Sequence, residues 1–463
     1  MRRSLPLLVV LLTGSTLGCA NDVPTAPTAR TISESMQSTM IPAEAILVTN
    51  AAELAGALSP ANAGRRIVVR AGSYVMSQSL IVPDATTLEG EGVMQFDAAG
   101  RPTGFEDGTR TVISATASVT GNLLALGDGS AIRGLAIEDF PGRAGSTVSV
   151  TSRSAGDRIS AEIDRVEILN RTPYSVGLQG PNGCSIIVLT QNPNQGSAPP
   201  PHVDAQVSAR ITRSLLRSPA LGLGCGLFAF NFAPLANVSV ALSDNIVSGG
   251  VIAAGGVSRG NSVYDSKTTI TSHRNLYREG NGSPCTVRRT GWNIQGGAGA
   301  PIAVGVATTA RNQLVMHSRD DRLEGFTTGI LGSGGRQFFA TAIAGATSDN
   351  TLDLQLIGTT IATASCADPR PSVDFRLGGA LVTNASIVPG DGNTLRAVFR
   401  GVTASGVRAN TYGDVLGPTG PQSAALSGSG NMLRFVGNPT AFAQTNSAIE
   451  PSPGAQFFTA KNW

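Results

Sequence analysis

One short pattern of apolar and polar residues recurs along most of the chain. Its copies are Ile132–Ile137, Ile163–Ile168, Ile211–Leu215, Leu242–Ile246, Ile270–Leu276 and Val315–Leu323. One polar residue in each of the first five copies marks the repeat. The intervals between these residues are 32, 48, 31 and 30; the residues are Arg133, Arg165, Arg213, Asp244 and Arg274. A Pro-rich insertion falls inside the one long interval. A repeat near 30 residues with short strands and glycine turns is typical of a solenoid.

Stacking of short strands accounts for the composition. Three short strands per turn cannot bury a core alone, but turns stacked at about 4.8 Å form continuous parallel sheets. Inward positions must then be small or aliphatic, which fits a chain with 41% hydrophobic but only 5% aromatic residues. We expect Gly and Asn at the bends, because both tolerate left-handed backbone.

The first folded segment combines a helix signal with strand signals. Asn50 and Glu53 have N-cap and N3 spacing, and Leu54 and Leu58 follow one turn apart, which predicts a short amphipathic helix. The apolar runs after this helix have the character of strands punctuated by Gly and Pro. They are Ile67–Val69, Tyr74–Met76, Leu80–Val82 and Thr87–Leu88.

The helix and the stretch from Ile67 to Gly92 resemble the N-terminal cap and first coil of right-handed parallel β-helix proteins, which include pectate lyases and polygalacturonases. The resemblance covers residues 46–445. It implies an all-β fold, a right-handed single-stranded parallel β-helix (a pectin-lyase-like solenoid) with a short N-terminal capping helix. Residues 446–463 are predicted to form a C-terminal tail or cap. An antiparallel β-sandwich or propeller, the alternative, would show shorter, more regular spacing.

Residues 1–19 have the layout of an export signal: Arg2-Arg3, an apolar run too short to span a bilayer, then small residues. The sequence Thr16-Leu17-Gly18-Cys19 resembles the lipobox of bacterial lipoproteins, with its Leu one place late. The resemblance implies that Cys19 carries a lipid and that the protein is an outer-membrane or cell-surface lipoprotein. The alternative is cleavage near Cys19, giving a periplasmic or secreted protein. Residues 20–45, rich in Pro, Thr and Ser, are predicted to form a flexible tether.

The four other cysteines are even in number, which in an exported protein indicates disulfides. Cys184 and Cys225 lie in matching Gly-Cys sequences 41 residues apart. Equivalent positions on adjacent coils would be about 4.8 Å apart, within the range for a disulfide, so we pair them. Two buried free thiols are the alternative. Cys285 and Cys366 are the second candidate pair. No Cys or His spacing suggests a structural metal.

Charge balance excludes one large class of partners. The chain has 34 Lys and Arg against 31 Asp and Glu, a net charge of +3. Loss of Arg2 and Arg3 with the signal would leave 32 − 31 = +1. A nucleic-acid-binding protein normally shows a basic face, so we expect no nucleic acid partner. We also expect a monomer.

Hydrolase chemistry requires paired carboxylates, one acid and one base. Asp320-Asp321 faintly resembles the Asp pair of polygalacturonases, but the other motifs of that family are absent. Hydrolysis is therefore disfavoured. No cofactor is predicted: calcium is the alternative, but the carboxylate triads of calcium-dependent pectate lyases are not visible.

Lyase chemistry requires a cation that neutralises a uronate carboxylate and a base that removes the adjacent proton. The catalytic candidates are Lys267, His273 and Arg274. Candidates for substrate binding are Arg288, Arg289 and Trp292, the last as a sugar platform, and a stripe along successive coils that includes Arg133, Arg165 and Arg213. The alternative for all of these residues is a solvated surface without a ligand.

These observations favour a surface-anchored β-helix lipoprotein that binds polysaccharide, with an acidic glycan as the favoured partner and lyase cleavage preferred over hydrolysis. The competing hypothesis is a non-enzymatic adhesive or structural protein of the cell surface, in which the solenoid only presents loops.

Overall fold

The structure is a computed structural model. It describes residues 45–142, 145–172, 175–177, 180–190, 201–217, 224–258, 262–279, 290–299, 308–337, 347–366, 371–376, 391–410, 416–417, 420–421, 432–437, 442–444 and 456–460. Within these residues the chain is a parallel β-helix, as the sequence predicts. Each coil passes in turn through three long parallel sheets, which we call sheets A, B and C.

The strands are numbered in chain order. Sheet A contains β1 (Ile46–Val48), β2 (Arg66–Val69), β5 (Thr87–Gly90), β10 (Ser130–Arg133), β13 (Arg158–Asp164), β18 (Gln206–Thr212), β21 (Asn237–Ser243), β25 (Lys267–His273), β29 (Gln313–Arg319), β33 (Thr351–Ile357), β36 (Thr394–Arg400), β41 (Met432–Val436) and β43 (Gln456–Ala460). Sheet B contains β3 (Gly72–Met76), β8 (Thr111–Ala115), β11 (Ala136–Glu138), β14 (Glu167–Leu169), β19 (Leu215–Arg217), β22 (Ile246–Ser248), β26 (Leu276–Arg278), β30 (Arg322–Phe326), β34 (Thr360–Thr363) and β37 (Thr403–Ala404).

Sheet C contains β4 (Leu80–Val82), β9 (Leu124–Leu126), β12 (Val148–Thr151), β17 (Cys184–Leu189), β20 (Cys225–Phe230), β23 (Val251–Ser258), β27 (Thr290–Gly299), β31 (Thr328–Gln337), β35 (Val373–Arg376), β38 (Val407–Asn410) and β42 (Phe442–Gln444). Small sheets pair β6 (Met94–Phe96) with β7 (Pro102–Phe105), β15 (Ser175–Gly177) with β16 (Gly180–Asn182), β24 (Val263–Tyr264) with β28 (Thr309–Ala310) and β32 (Thr347–Ser348), and β39 (Leu416–Gly417) with β40 (Gly420–Pro421). Sheet A thus continues through residues 456–460, inside the segment that the sequence assigns to a tail or cap.

The helix α1 spans Ala51–Ala57, and a 3₁₀ turn follows at Pro60–Asn62. The Asn50 side chain accepts a hydrogen bond from the Glu53 amide at 2.9 Å, as the cap spacing predicts. Glu53 in turn accepts from the amide and hydroxyl of Thr49. Leu54 is fully buried and joins the main core at this end of the stack.

Alternation along each strand separates the core from the surface. In the seven-residue strands of sheet A the second, fourth and sixth side chains face the core, as in β18 with Val207, Ala209 and Ile211. The parallel register places aliphatic residues of adjacent strands opposite one another, as with Ile163, Ile211 and Leu242. Inward positions from the three sheets form one continuous apolar core.

The recurrent sequence pattern is a corner between sheets A and B. Its left-handed residues have φ between 48° and 59°; they are Arg165, Arg213, Asp244, Arg274 and Asp320. The expectation of Gly and Asn at these bends is therefore only partly right, since Gly134, Gly358 and Gly401 belong to this column but the positions between them carry Arg and Asp. Left-handed backbone costs about 1–2 kcal/mol per residue, and the ion pairs formed at the corners offset part of it.

Asparagine lies one residue after the left-handed corner. Asn245 donates its amide N–H to Asn275 Oδ1 at 2.9 Å, and the Asn275 amide donates to Asp321 Oδ1 at 2.7 Å. These hydrogen bonds form a ladder of side chains along the stack, which we call the asparagine ladder. A second ladder lies just before the strands of sheet A, where the Asn312 amide donates to Asn350 Oδ1 and the Asn350 amide to Asn393 Oδ1, each at 3.0 Å. These side chains satisfy the backbone donors that the corners leave unpaired.

The predicted disulfide between Cys184 and Cys225 is confirmed, with a Cα–Cα distance of 4.6 Å. The two cysteines are register partners on β17 and β20, so the predicted coil register is correct here. Cys366 is also disulfide-bonded, and its predicted partner Cys285 lies outside the described residues. In the described part of the chain, no helix is long and apolar enough to cross a bilayer.

Candidate functional site

The outward face of sheet A is basic over its C-terminal half. From β18 to β41 the first, third, fifth and seventh side chains of each strand point away from the core. These outward positions carry one carboxylate, Asp353, and two imidazoles, His273 and His317. They also carry six cations, namely Arg210, Lys267, Arg319, Arg396, Arg400 and Arg434. The face therefore has a large excess of positive charge.

Within the described residues, five of these six cations make no ion pair. Among the described residues, the only ion pair that any of the six makes joins Arg319 Nε to Asp320 Oδ2, at 3.5 Å. The N-terminal half of the same face differs, because Arg66 binds Glu89 at 2.8 Å and Arg133 binds Glu162 at 2.7 Å. One half of the face thus pairs its charges internally, whereas the other half exposes them to solvent.

A depression of about 500 Å³ lies on this basic face. Its floor is made by the short side chains of Ala241, Ser243 and Thr271 on β21 and β25. The remaining lining side chains named here lie on either side of these two strands. They are Arg210 and Thr212 towards the N-terminus of the stack and His317, Arg319, Gln355 and Ile357 towards its C-terminus. The depression is a site of hydroxyl, amide, imidazole and guanidinium groups.

Two histidines meet in the depression. Parallel register places His317 opposite Thr271 and Arg319 opposite His273, so the two imidazoles are diagonal neighbours on β25 and β29. His273 Nε2 lies 3.8 Å from Asp320 Oδ2, beyond hydrogen-bonding distance. Imidazole can donate or accept a proton near neutral pH, so this pair brings proton-transfer groups next to guanidinium groups.

The three predicted catalytic residues are not brought together, which corrects the sequence analysis. Lys267 and His273 begin and end the same strand, so their Cα atoms lie about 20 Å apart. Arg274 occupies the left-handed corner and donates to both Asp244 oxygens, at 2.7 and 2.9 Å. Of the three, only His273 lines the depression.

Trp292 cannot be a sugar platform. It is fully buried and its ring packs edge-on against Tyr277, with 5.2 Å between ring centroids. The period-two alternation of β27 directs this side chain inward, whereas the sequence analysis takes it to be exposed. Arg288 and Arg289, the neighbouring candidates, lie outside the described residues.

The predicted arginine stripe is a set of structural ion pairs. Arg165 and Arg213 both bind Asp164, at 3.0 and 2.7 Å, while Arg133 binds Glu162. The stripe is also not one column, because Arg133 ends β10 one residue before the corner that Arg165 and Arg213 occupy.

The Asp320-Asp321 sequence does not form a carboxylate pair. Asp321 is fully buried and accepts hydrogen bonds from the Asn275 amide and from Ser318 Oγ, at 2.7 and 2.6 Å. Burial raises the pKa of its carboxyl group. Asp320 is exposed at the corner. The structure thus gives Asp321 a place in the asparagine ladder.

Sequence reasoning missed Arg210, His317 and the arginines of β36 and β41. It followed the corner motif, whereas these side chains lie one to five residues before the corner, in the strands. The alternation of buried and exposed positions was the signal that would have found them. No group of three or more His, Cys, Asp or Glu side chains in the described ranges is arranged to hold a metal ion.

No protein-family description matches the chain, and no curated protein matches it. Among solved structures, it is similar to a mutant of a PL6 family alginate lyase. The identity is 10% over 90% of this chain and 80% of that chain, with a TM-score of 0.19. A likeness at this level bears on neither the substrate nor the mechanism of this protein.

Proposed function

We propose that this protein is an exported β-helix protein that binds an acidic polysaccharide along the C-terminal half of the outward face of sheet A. The observation that carries the proposal is the set of six exposed cations against one carboxylate on that face. Such a face attracts a polyanion, and the ion pairs of the N-terminal half show that the excess is local.

Spacing and chemistry also fit an extended glycan. Adjacent strands are about 4.8 Å apart along the axis, close to the length of one sugar unit in an extended chain. Short side chains at Ala241, Ser243 and Thr271 leave room for a sugar ring, and Thr212 and Gln355 offer hydrogen bonds to its hydroxyl groups. Arginine binds carboxylates through two parallel N–H donors.

Binding is tested by titrating the purified protein with a polyuronate and with a neutral glucan. We expect saturable binding of the polyuronate that weakens steeply with added NaCl, because salt screens exposed charges, and no binding of the glucan. Equal binding of the two glycans, or polyuronate binding unaffected by salt, would contradict the proposal. Failure to bind any glycan would instead favour the adhesive or structural spacer.

Cleavage by β-elimination is the finer proposal, and the depression supports it. In this reaction a base removes the proton at C5 of a uronate, the electron pair forms the C4–C5 double bond, and the C4–O bond breaks while O4 takes a proton. His273 and His317 supply groups for both proton transfers, and Arg210 and Arg319 supply positive charge for the carboxylate. An ultraviolet-absorbing unsaturated product that disappears in His317→Ala is expected; its absence in the wild-type protein on all polyuronates would limit the function to binding.

Export and anchoring form the last part of the proposal. Disulfides at Cys184–Cys225 and at Cys366 suit an oxidising compartment. The lipobox-like sequence at Thr16–Cys19 supports a lipid on Cys19 and attachment to the outer membrane or cell surface.

A further inference from the structure

Two arginines face each other on the outward side of sheet A without a carboxylate between them. Arg396 on β36 and Arg434 on β41 are register partners, so their Cα atoms lie about 4.8 Å apart. Both side chains are exposed. Within the described residues neither makes an ion pair, and no other pair of Lys or Arg residues occupies neighbouring outward positions in this sheet. Like charges placed directly opposite each other destabilise a sheet.

The same protein shows how such a pair is stabilised elsewhere. Arg165 and Arg213 are neighbours at one corner of the stack, and both donate to the carboxylate of Asp164. Arg213 alone donates to both oxygens, at 2.9 and 2.7 Å. Two stacked guanidinium groups thus bind one carboxylate, which at this corner belongs to the chain itself.

The described neighbours of Arg396 and Arg434 leave the guanidinium donors of both side chains available. Asp353, opposite Arg396 on the other side, makes no ion pair with it among the described contacts. Arg434 is followed in register by Phe458 of β43. Val398 and Val436, the next outward residues on β36 and β41, carry no polar side-chain group.

We infer that Arg396 and Arg434 form an oxyanion clamp that holds one carboxylate or sulfate group between two guanidinium groups. The inference rests on the proposed function only for the source of that group, an anionic substituent of the bound polysaccharide. The clamp lies on the same face as the depression but on later coils, so it would hold a sugar several units away from it.

Inorganic sulfate tests the clamp itself. Sodium sulfate should raise the unfolding temperature of the full chain above that in NaCl of equal ionic strength, because a ligand of the native state stabilises it. Arg434→Gln should lose more than half of this difference. Arg400→Gln is the matched control, since Arg400 is exposed on the same strand as Arg396 but lies opposite Ile357, and it should keep the full difference. Asp353→Asn should increase it.

Equal sulfate effects in Arg434→Gln and Arg400→Gln would overturn the clamp, as would no sulfate effect in the wild-type protein. The same variants titrated with a polyuronate and with a sulfated neutral galactan show which group is bound, by the glycan whose affinity falls several-fold further in Arg434→Gln than in Arg400→Gln. If the polyuronate binds the wild-type protein while sulfate has no effect, the clamp fails and the proposed function stands. If neither binds, both fail.

Discussion

At the scale of single residues, the most informative side chain is that of Asp321, because it places a carboxyl group at a position of the asparagine ladder that is an asparagine in the preceding coils. Asp321 continues the column of Asn245 and Asn275, and its Oδ1 accepts from the Asn275 amide and side chain at 2.7 and 3.2 Å. Its Oδ2 accepts a hydroxyl hydrogen from Ser318. A buried carboxylate without a cation is costly, which is the physical reason for its raised pKa.

We expect Asp321→Asn to stabilise the protein near neutral pH by about 1 kcal/mol or more, because the variant removes a buried carboxylate and keeps its hydrogen bonds. The amide keeps the Oδ1 acceptor, and its Nδ2 can donate to Ser318 Oγ, whose own hydrogen can turn to Thr359 Oγ1, 2.9 Å away. Urea unfolding of the two proteins measures the difference. Asn275→Asp is the matched control: it removes donors to Leu242 O and Ser272 Oγ, so it should destabilise.

The pH dependence follows from the direction of the shift. With a folded-state pKa above the ordinary 3.8, the native state binds the Asp321 proton more tightly than the unfolded state. Asp321 therefore contributes stability at low pH that is lost as the pH rises from about 3.8 through the folded pKa. The advantage of Asp321→Asn should grow over this range. A variant less stable than wild type at every pH would contradict this account of the ladder.

At the scale of elements, paired glycines let sheet C approach the second asparagine ladder. Strands β23, β27 and β31 each carry two consecutive glycines in register, as at Gly256 and Gly297. A Cβ on Gly297 would lie 2.4–2.6 Å from the side-chain atoms of Asn350, which the ladder holds in place. The glycines are therefore required by close packing against the corner.

We expect Gly297→Ala to destabilise the protein by about 1–3 kcal/mol, because neither Asn350 nor the backbone can withdraw without breaking ladder hydrogen bonds. Gly56→Ala is the control: a Cβ there meets nothing within 4 Å, and alanine in helix α1 should stabilise by about 0.5–1 kcal/mol. Denaturant midpoints compare the two variants. Gly297→Ala with wild-type stability would show that the two elements pack less closely.

Local patterns predicted elements well and side-chain neighbourhoods poorly. The cap at Asn50, the first strands and the Cys184–Cys225 register depend on spacing along short stretches, which the sequence displays directly. The site depends on which strand position faces outward in each coil, and an error of one residue along a strand assigns a side chain to the opposite face of the sheet. A one-residue error placed Arg133 in the column of Arg165 and Arg213. Treating the segment around Trp292 as exposed placed Trp292 outside the core.

At the scale of the whole molecule, lipid attachment would fix the protein to a membrane through Cys19 while the β-helix extends from residue 46. We expect Cys19→Ser to abolish metabolic labelling by fatty acid and to release the protein from the membrane fraction. Wild-type protein expressed in parallel is the control. Labelling that persists in the variant would remove the lipoprotein assignment.

At this scale, glycan binding belongs to the C-terminal half of the outward face of sheet A in our proposal. Removal of two cations from either half lowers the net charge equally, so a pair of double variants separates local binding from a general charge effect. Arg210→Gln with Arg319→Gln alters the depression, and Arg66→Gln with Arg133→Gln alters the internally paired half. Exposed ion pairs contribute little to stability, so both variants should fold.

Titration of these two variants and the wild-type protein with one polyuronate at low salt is the most direct test. We predict that Arg210→Gln with Arg319→Gln weakens binding roughly tenfold, or about 1.4 kcal/mol, while Arg66→Gln with Arg133→Gln binds as the wild type does. Equal losses in the two variants, or a larger loss in the Arg66 and Arg133 variant, would contradict the assignment of binding to the C-terminal half of sheet A.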